Sequence, residues 1–145
     1  FLASRSWLAC VFLLGLMAVL RKAGPLTDAE WEEMRRCPVT GYDILRKVPQ
    51  FQQVALIVRH HHERWDGRGY PDGLLGEQIP ISAQVVALAD VYDALTSDRC
   101  YKKAYSHDTA ITMILNGECG AFNPLLLQCL TNIQSDLKEE LQQHN

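Results

Sequence analysis

The run His60-His61-His62, the aspartate Asp90 and the glycine-rich segment between them are the residues whose types could do chemistry together. Neutral imidazoles joined by a carboxylate make a borderline-hard ligand set suited to iron, manganese or zinc. Adjacent residues on a helix diverge by about 100°. His61 and His62 would therefore not chelate one ion from a single helical face, but they could serve neighbouring ions in a cluster. The matching chemistry is in-line phosphodiester hydrolysis, in which paired cations lower the pKa of a water and neutralise charge on the phosphoryl oxygens. The competing reading is a solvated helix end carrying histidines, with Asp90 exposed or capping. Spacing alone leaves both open.

The elements that must position these groups read as helices. Thr27 with Glu30 three residues on forms a capping box, opening a helix with Trp31 and Met34 facing inward. Cys37-Pro38 is expected to break it, with a short helix from Thr40-Gly41 carrying Tyr42, Ile44 and Leu45 to Pro49. Val54, Ile57 and Val58 fall at i, i+3, i+4, and His61 takes the next step on that face. Trp65 to Pro80 holds too many glycines and prolines for a helix and is too irregular for a strand, so it reads as a structured loop. Ser82 is expected to cap a helix to about Ser97 with Val85, Val86, Ala89 and Leu95 in the core and Asp90 within it. A further helix spans about Ser106 to Leu115 and stops at Asn116-Gly117. Pro124 occupies the first turn of the last helix, whose stripe is Leu126, Leu130, Ile133, Leu137 and Leu141. No strand or repeat stands out, and the fold class is all-α.

A chain of 145 residues, 48% hydrophobic, suits one compact helical domain. Its net charge of −3 with interspersed signs provides no basic face for a polynucleotide. Five scattered cysteines without a C-x-x-C pair read as reduced thiols, which points to a cytoplasmic protein or the cytoplasmic domain of a membrane-attached sensor. Ser6 to Leu20 is apolar and uncharged but shorter than a spanning helix of roughly 18 to 20 residues, so a buried core helix is preferred to an anchor. Phe1 in place of Met suggests a piece of a longer chain.

From His61-His62-Glu63-Arg64-Trp65-Asp66-Gly67-Arg68-Gly69-Tyr70-Pro71-Asp72-Gly73-Leu74, through Ile79-Pro80 and Ala89-Asp90-Val91-Tyr92-Asp93-Ala94-Leu95-Thr96-Ser97, to Arg99 and Tyr101-Lys102, the chain resembles the HD-GYP family. The likeness runs from near Leu20 to about Leu130. It implies a helical bundle of the HD superfamily type over residues 23–145. Residues 1–22 would be a degenerate equivalent of the family's HD helix or the remnant of an anchor. It also implies a metal-dependent phosphodiesterase in bacterial cyclic di-GMP signalling, yielding linear pGpG or GMP. The resemblance makes His61, His62 and Asp90 metal positions, with iron or manganese ahead of zinc. Gly69-Tyr70-Pro71 is then the motif loop on the substrate side, implicated in the family in contacts with diguanylate cyclase (GGDEF-type) domains. Arg99, Lys102 and Tyr70 fall on positions that would hold the nucleotide, and sensory domains are the other implied partners. Glu63 and Asp66 are expected to organise the loop rather than catalyse.

The chain departs from the family in two places. No His, Asp or Glu precedes Asp28, so the His-Asp pair that names the family is missing. Where the family has His-Pro, this chain has Cys37-Pro38, and Cys37 would ligate only as a thiolate, being otherwise a small buried hydrophobe. Three remaining ligands suit one ion with open positions rather than a cluster. The expectation is impaired hydrolysis, and the alternative is a degenerate regulatory domain that binds nucleotide or a diguanylate cyclase partner without turnover.

Overall fold

In a computed structural model of the chain, the described residues are 25–98 and 103–143. They form five α-helices: α1 (Asp28–Leu45), α2 (Gln52–His60), α3 (Ile81–Thr96), α4 (His107–Leu115) and α5 (Pro124–Gln143). Short 3-10 turns lie at Pro49–Phe51 and Gly76–Gln78, and the nearest thing to a strand among the described residues is a single antiparallel bridge between Asp66 and Leu75. The domain is all-α, as expected. The apolar Ser6 to Leu20, Arg99 and Lys102 lie outside the described residues. Within them, no helix is long and apolar enough to cross a membrane.

Each helix packs on the next in chain order. The core sits between α3, α4 and α5, where Leu88, Leu95, Ala110, Ile111, Ile114 and Leu130 are buried together. The Thr27 capping box forms in both directions, with the Thr27 N–H donating to Glu30 and the Glu30 N–H to Thr27. Ser106 caps α4 through the Thr109 N–H, and Gly117 takes a positive φ just past its end.

Several local expectations are corrected. Pro38 does not break α1; it lies inside the helix with its side chain fully buried. A proline costs one backbone hydrogen bond and crowds the preceding turn, and here the full burial of its ring offsets that loss. Trp31 faces outward at 47% exposure, while Met34 turns toward the site. Helix α3 starts at Ile81 with Pro80 as its cap residue, so Ser82 is inside the first turn and caps nothing. Its buried face is Ala83, Gln84, Leu88 and Leu95, leaving Val85 and Ala89 exposed. On α2 the buried residues are Ala55 and His60, with Val54 exposed. Ile133 also leaves the stripe of α5, being exposed, whereas Leu126, Leu130 and Leu137 join the core.

Candidate metal and nucleotide site

Helix α2 ends at His60, and the chain leaves it at His61, its C-cap residue. That exit decides how the histidines point. His60 is buried, whereas the rings of His61 and His62 lie 4.0 Å apart and both border one cavity of about 500 Å³. Divergence of adjacent side chains within a helix therefore does not separate this pair.

Asp90 enters the same cavity from α3. It shares a face with Ala87 and Ala94, at i−3 and i+4, and these two alanines leave open space beside an exposed carboxylate. The third wall is the segment Cys119 to Phe122 before α5, and Met34 of α1 closes the far side. Three residues expected as metal ligands from sequence, together with Tyr70, thus meet in one place.

Both imidazoles are held by local contacts. His61 Nδ1 lies 2.8 Å from the Val58 carbonyl oxygen, which accepts from it and fixes the orientation of the ring. Burial, with the neighbouring His61 as a second cause, pulls the pKa of His62 from its usual 6.5 to about 4, so that its ring is neutral at physiological pH. Tyr70 stacks on His62 at 4.9 Å between ring centroids and 26° between planes, and burial raises the pKa of its phenol. The unfolded chain protonates His62 near pH 6.5 while the folded one resists. The associated stability is therefore complete above that value and is lost as pH falls toward 4. Chelator-treated protein should melt about 5 °C lower at pH 4.5 than at pH 7, and His62→Gln should flatten that slope. An unchanged slope in the variant would place the titration elsewhere.

Cys37 is half-buried on α1 and is not among the residues lining the cavity; burial pushes its thiol pKa up, away from the thiolate a metal needs. The residues present fit a metal as a partial set: two neutral imidazoles and one carboxylate, with room for solvent.

A second group of possible ligands was not foreseen. One ligand atom each from His60, Glu63 and Asp72 lies within 4.8 Å of the others, a spacing that could hold an ion. The carboxylates, however, already have partners. Glu63 accepts from the backbone N–H groups of Asp72, Gly73 and Leu74 at 2.6, 3.1 and 3.0 Å. Asp72 takes a bidentate pair of bonds from Arg59, at 2.8 Å from Nε and 2.7 Å from Nη2, and that hydrogen bonding lowers its pKa. The two carboxylates form a brace, fastening the loop to the end of α2, while the buried His60 Nδ1, 3.5 Å from Asp72, takes no hydrogen-bond partner. Glu63 and Asp66, the latter accepting from the Arg68 N–H, organise the loop as their acceptor chemistry suggested.

The loop is also tied at Gly69, where a Cβ would overlap the backbone of Glu63 and Arg64. The Tyr70-Pro71 peptide is cis. Arg64 was overlooked as a site residue: it lines the cavity, and a Cβ on buried Gly120 would come within 2.7 Å of its Cζ, so the guanidinium lies directly on that glycine's backbone. No sequence pattern joins Arg64 to Gly120, which the fold alone brings together.

Comparison with known proteins identifies the family. Residues 15–121 match the family model described as HD domain. The cyclic di-GMP phosphodiesterase response regulator RpfG of Xanthomonas campestris pv. campestris is 44% identical over 124 residues, covering 84% of this chain and 33% of that protein. A cyclic di-GMP phosphodiesterase of Pseudomonas aeruginosa, PA4108, is 44% identical over 116 residues, covering 77% of this chain and 28% of the relative. The 3'3'-cGAMP-specific phosphodiesterase 2 of Vibrio cholerae is 38% identical over 115 residues, covering 78% and 22% respectively. The chain spans about a third or less of the length of these relatives. With the Gly-Tyr-Pro loop intact and the histidine pair facing Asp90 across one cavity, the chain belongs to the HD domain family, as a domain of its HD-GYP branch.

Proposed function

We propose that this chain is a metal-dependent phosphodiesterase domain acting on cyclic di-GMP, with His61, His62 and Asp90 as the metal ligands. The observation that carries the reading is the convergence of these groups with Arg64 on one cavity. When bound, the ion, iron or manganese in preference to zinc, would activate a water and neutralise phosphoryl charge. His61, held by its Nδ1–H bond to the Val58 carbonyl, and the buried, neutral ring of His62 would each offer a ring nitrogen, and Asp90 a carboxylate. Arg64 offers forked donors to a phosphate oxygen. Attack of water on phosphorus would break one P–O3′ bond, with the proton passing to the departing 3′ oxygen and linear pGpG as the product. Arg99, Lys102 and Tyr70 are proposed to hold the nucleotide. Sensory or diguanylate cyclase modules are proposed partners, and the cytoplasm the proposed location.

Turnover should be low. The His-Asp pair is missing from this sequence and Cys37 is a protonated thiol, so the ligand set suits one ion. Misplacement by about 1 Å can cost about 100-fold in rate, and a loss of at least that size relative to a complete ligand set is expected. The short ligand count also favours the second reading, a regulatory domain that binds nucleotide or a diguanylate cyclase without turnover.

Metal analysis of protein purified without added metal, with hydrolysis assays in excess manganese or ferrous iron, separates the two. About one ion per chain and slow turnover abolished by His62→Ala is the expected result. Saturable cyclic di-GMP binding with no turnover under any metal would sink the enzyme. Assays with 3'3'-cGAMP in parallel test the substrate, and preference for it would overturn the assignment to cyclic di-GMP.

A further inference from the structure

On the other side of Tyr70 lies a second groove, of about 750 Å³, between α1 and the Gly-Tyr-Pro loop. Its α1 wall carries Glu32, Arg35 and Arg36, at i, i+3 and i+4 and hence on one helical face; its loop wall carries Arg68, Tyr70 and Asp72. Both acids are matched. Glu32 lies 3.8 Å from Arg35, and Asp72 is held by Arg59. Arg36 and Arg68 make no side-chain hydrogen bond or ion pair among the described residues. Two arginines without such partners thus line one groove on a chain of net charge −3.

We propose that this groove is a second binding site, taking a phosphate-bearing nucleotide whose phosphate is clasped between Arg36 and Arg68. A guanidinium fork matches phosphate oxygens bidentately. Tyr70 at the groove wall offers an aromatic surface for a base, a contact that single-stranded nucleic-acid binders exploit. The volume falls in the range of small-molecule pockets, roughly 300 to 1,000 Å³. Glu32 and Asp72, engaged by Arg35 and Arg59, leave Arg36 and Arg68 as the groove's unengaged charges. The groove shares the Tyr70 wall with the metal cavity, but none of the proposed metal ligands lines it, and its occupancy does not depend on hydrolysis there.

The test is calorimetric titration of the full chain, in chelator, with GMP, inorganic phosphate and a glutamate-rich peptide as probes. GMP should bind with an affinity that falls as salt is raised. Arg36→Ala and Arg68→Ala should each weaken it about tenfold, and the lysine variants less, because charge is kept while the fork is lost. His61→Ala and Asp90→Ala should leave GMP affinity unchanged. Equal affinity of the arginine variants and the unaltered chain would overturn the proposal, as would absence of GMP binding or its loss in His61→Ala. Inorganic phosphate binding as tightly as GMP, or the peptide displacing GMP, would overturn the assignment to a nucleotide. Melting temperature controls for folding; should Arg36→Ala unfold, Arg68→Ala on the exposed loop still decides. Failure of hydrolysis with retained arginine-dependent GMP binding would remove the phosphodiesterase reading and leave this one standing.

Discussion

Replacing Gly69 by alanine should cost about 3 kcal/mol or more and lower the melting temperature by about 10 °C. A Cβ there would overlap Cα and C of Glu63 and the backbone nitrogen of Arg64. Backbone cannot turn aside as a side chain can, so either the loop or the chain leaving α2 must move. Both carry site residues: Tyr70 stands next to Gly69, and His62 next to Glu63. The stacking of Tyr70 on His62 at 4.9 Å should be lost with the displacement, and metal affinity with it. Gly73→Ala is the matched control. Gly73 has φ +65 but its Cβ would meet nothing closer than 3.7 Å, so only left-handed backbone strain of about 1 to 2 kcal/mol is expected. If the two variants melt together, the close approach at Gly69 does not hold the loop.

The helices were legible wherever one local rule acts alone. Thr27 with Glu30 and Asn116-Gly117 after α4 are end signals that need no tertiary partner, and each forms as read, whereas Ser106, read as the first residue of that helix, is its cap. The rules failed where packing competes with propensity. Pro38 is a helix breaker by its own chemistry, yet α1 passes through it because its ring is fully buried. On α3, periodicity named Val85, Val86, Ala89 and Leu95, of which Leu95 is buried, but the buried face is set by where α4 and α5 lie, and it also holds Leu88 and the polar Gln84. Gln84 is satisfied there by donating to the Ile79 carbonyl and accepting from Asn123, a pairing across the fold that no periodicity reports.

At the site, the residues that converge from two elements were found by their types: His61, His62 and Asp90 share the cavity. What sequence could not convey was their preparation. The carbonyl of Val58 that orients His61, the Tyr70 ring on His62 and the glycine backbone under Arg64 are consequences of the turn out of α2 and of the segment before α5. Nor could it show that Cys37, next in line to a buried proline, stays outside the cavity. The brace of Glu63 and Asp72 shows the same limit, since its geometry depends on amides nine to eleven residues away from Glu63 along the chain.

That brace is the second place where one atom's loss should spread. Glu63 is 5% exposed and holds three consecutive loop amides, two on Oε1 and one on Oε2. In Glu63→Ala these N–H groups lose their acceptor, at about 1 to 3 kcal/mol for each one left buried and unsatisfied. A total of about 3 to 5 kcal/mol is expected, less than the sum because water enters as the loop lifts. Glu63→Gln should cost about 2 kcal/mol, since one amide oxygen keeps two of the donors while the NH₂ group faces the third. Hydrogen exchange reads the brace directly: the amides of Asp72, Gly73 and Leu74 should lose protection together in Glu63→Ala, and chiefly Leu74 in Glu63→Gln. Arg59 and Asp72 form the other arm, at 25% and 33% side-chain exposure, and being closer to solvent their pair should matter less, at about 1 kcal/mol. If Arg59→Ala proves as damaging as Glu63→Ala, the loop hangs from the ion pair and not from the buried carboxylate. If Glu63→Ala leaves the three amides protected, the loop holds its shape without the brace, and the Tyr70 wall between the two cavities must be fixed by its packing on His62 alone.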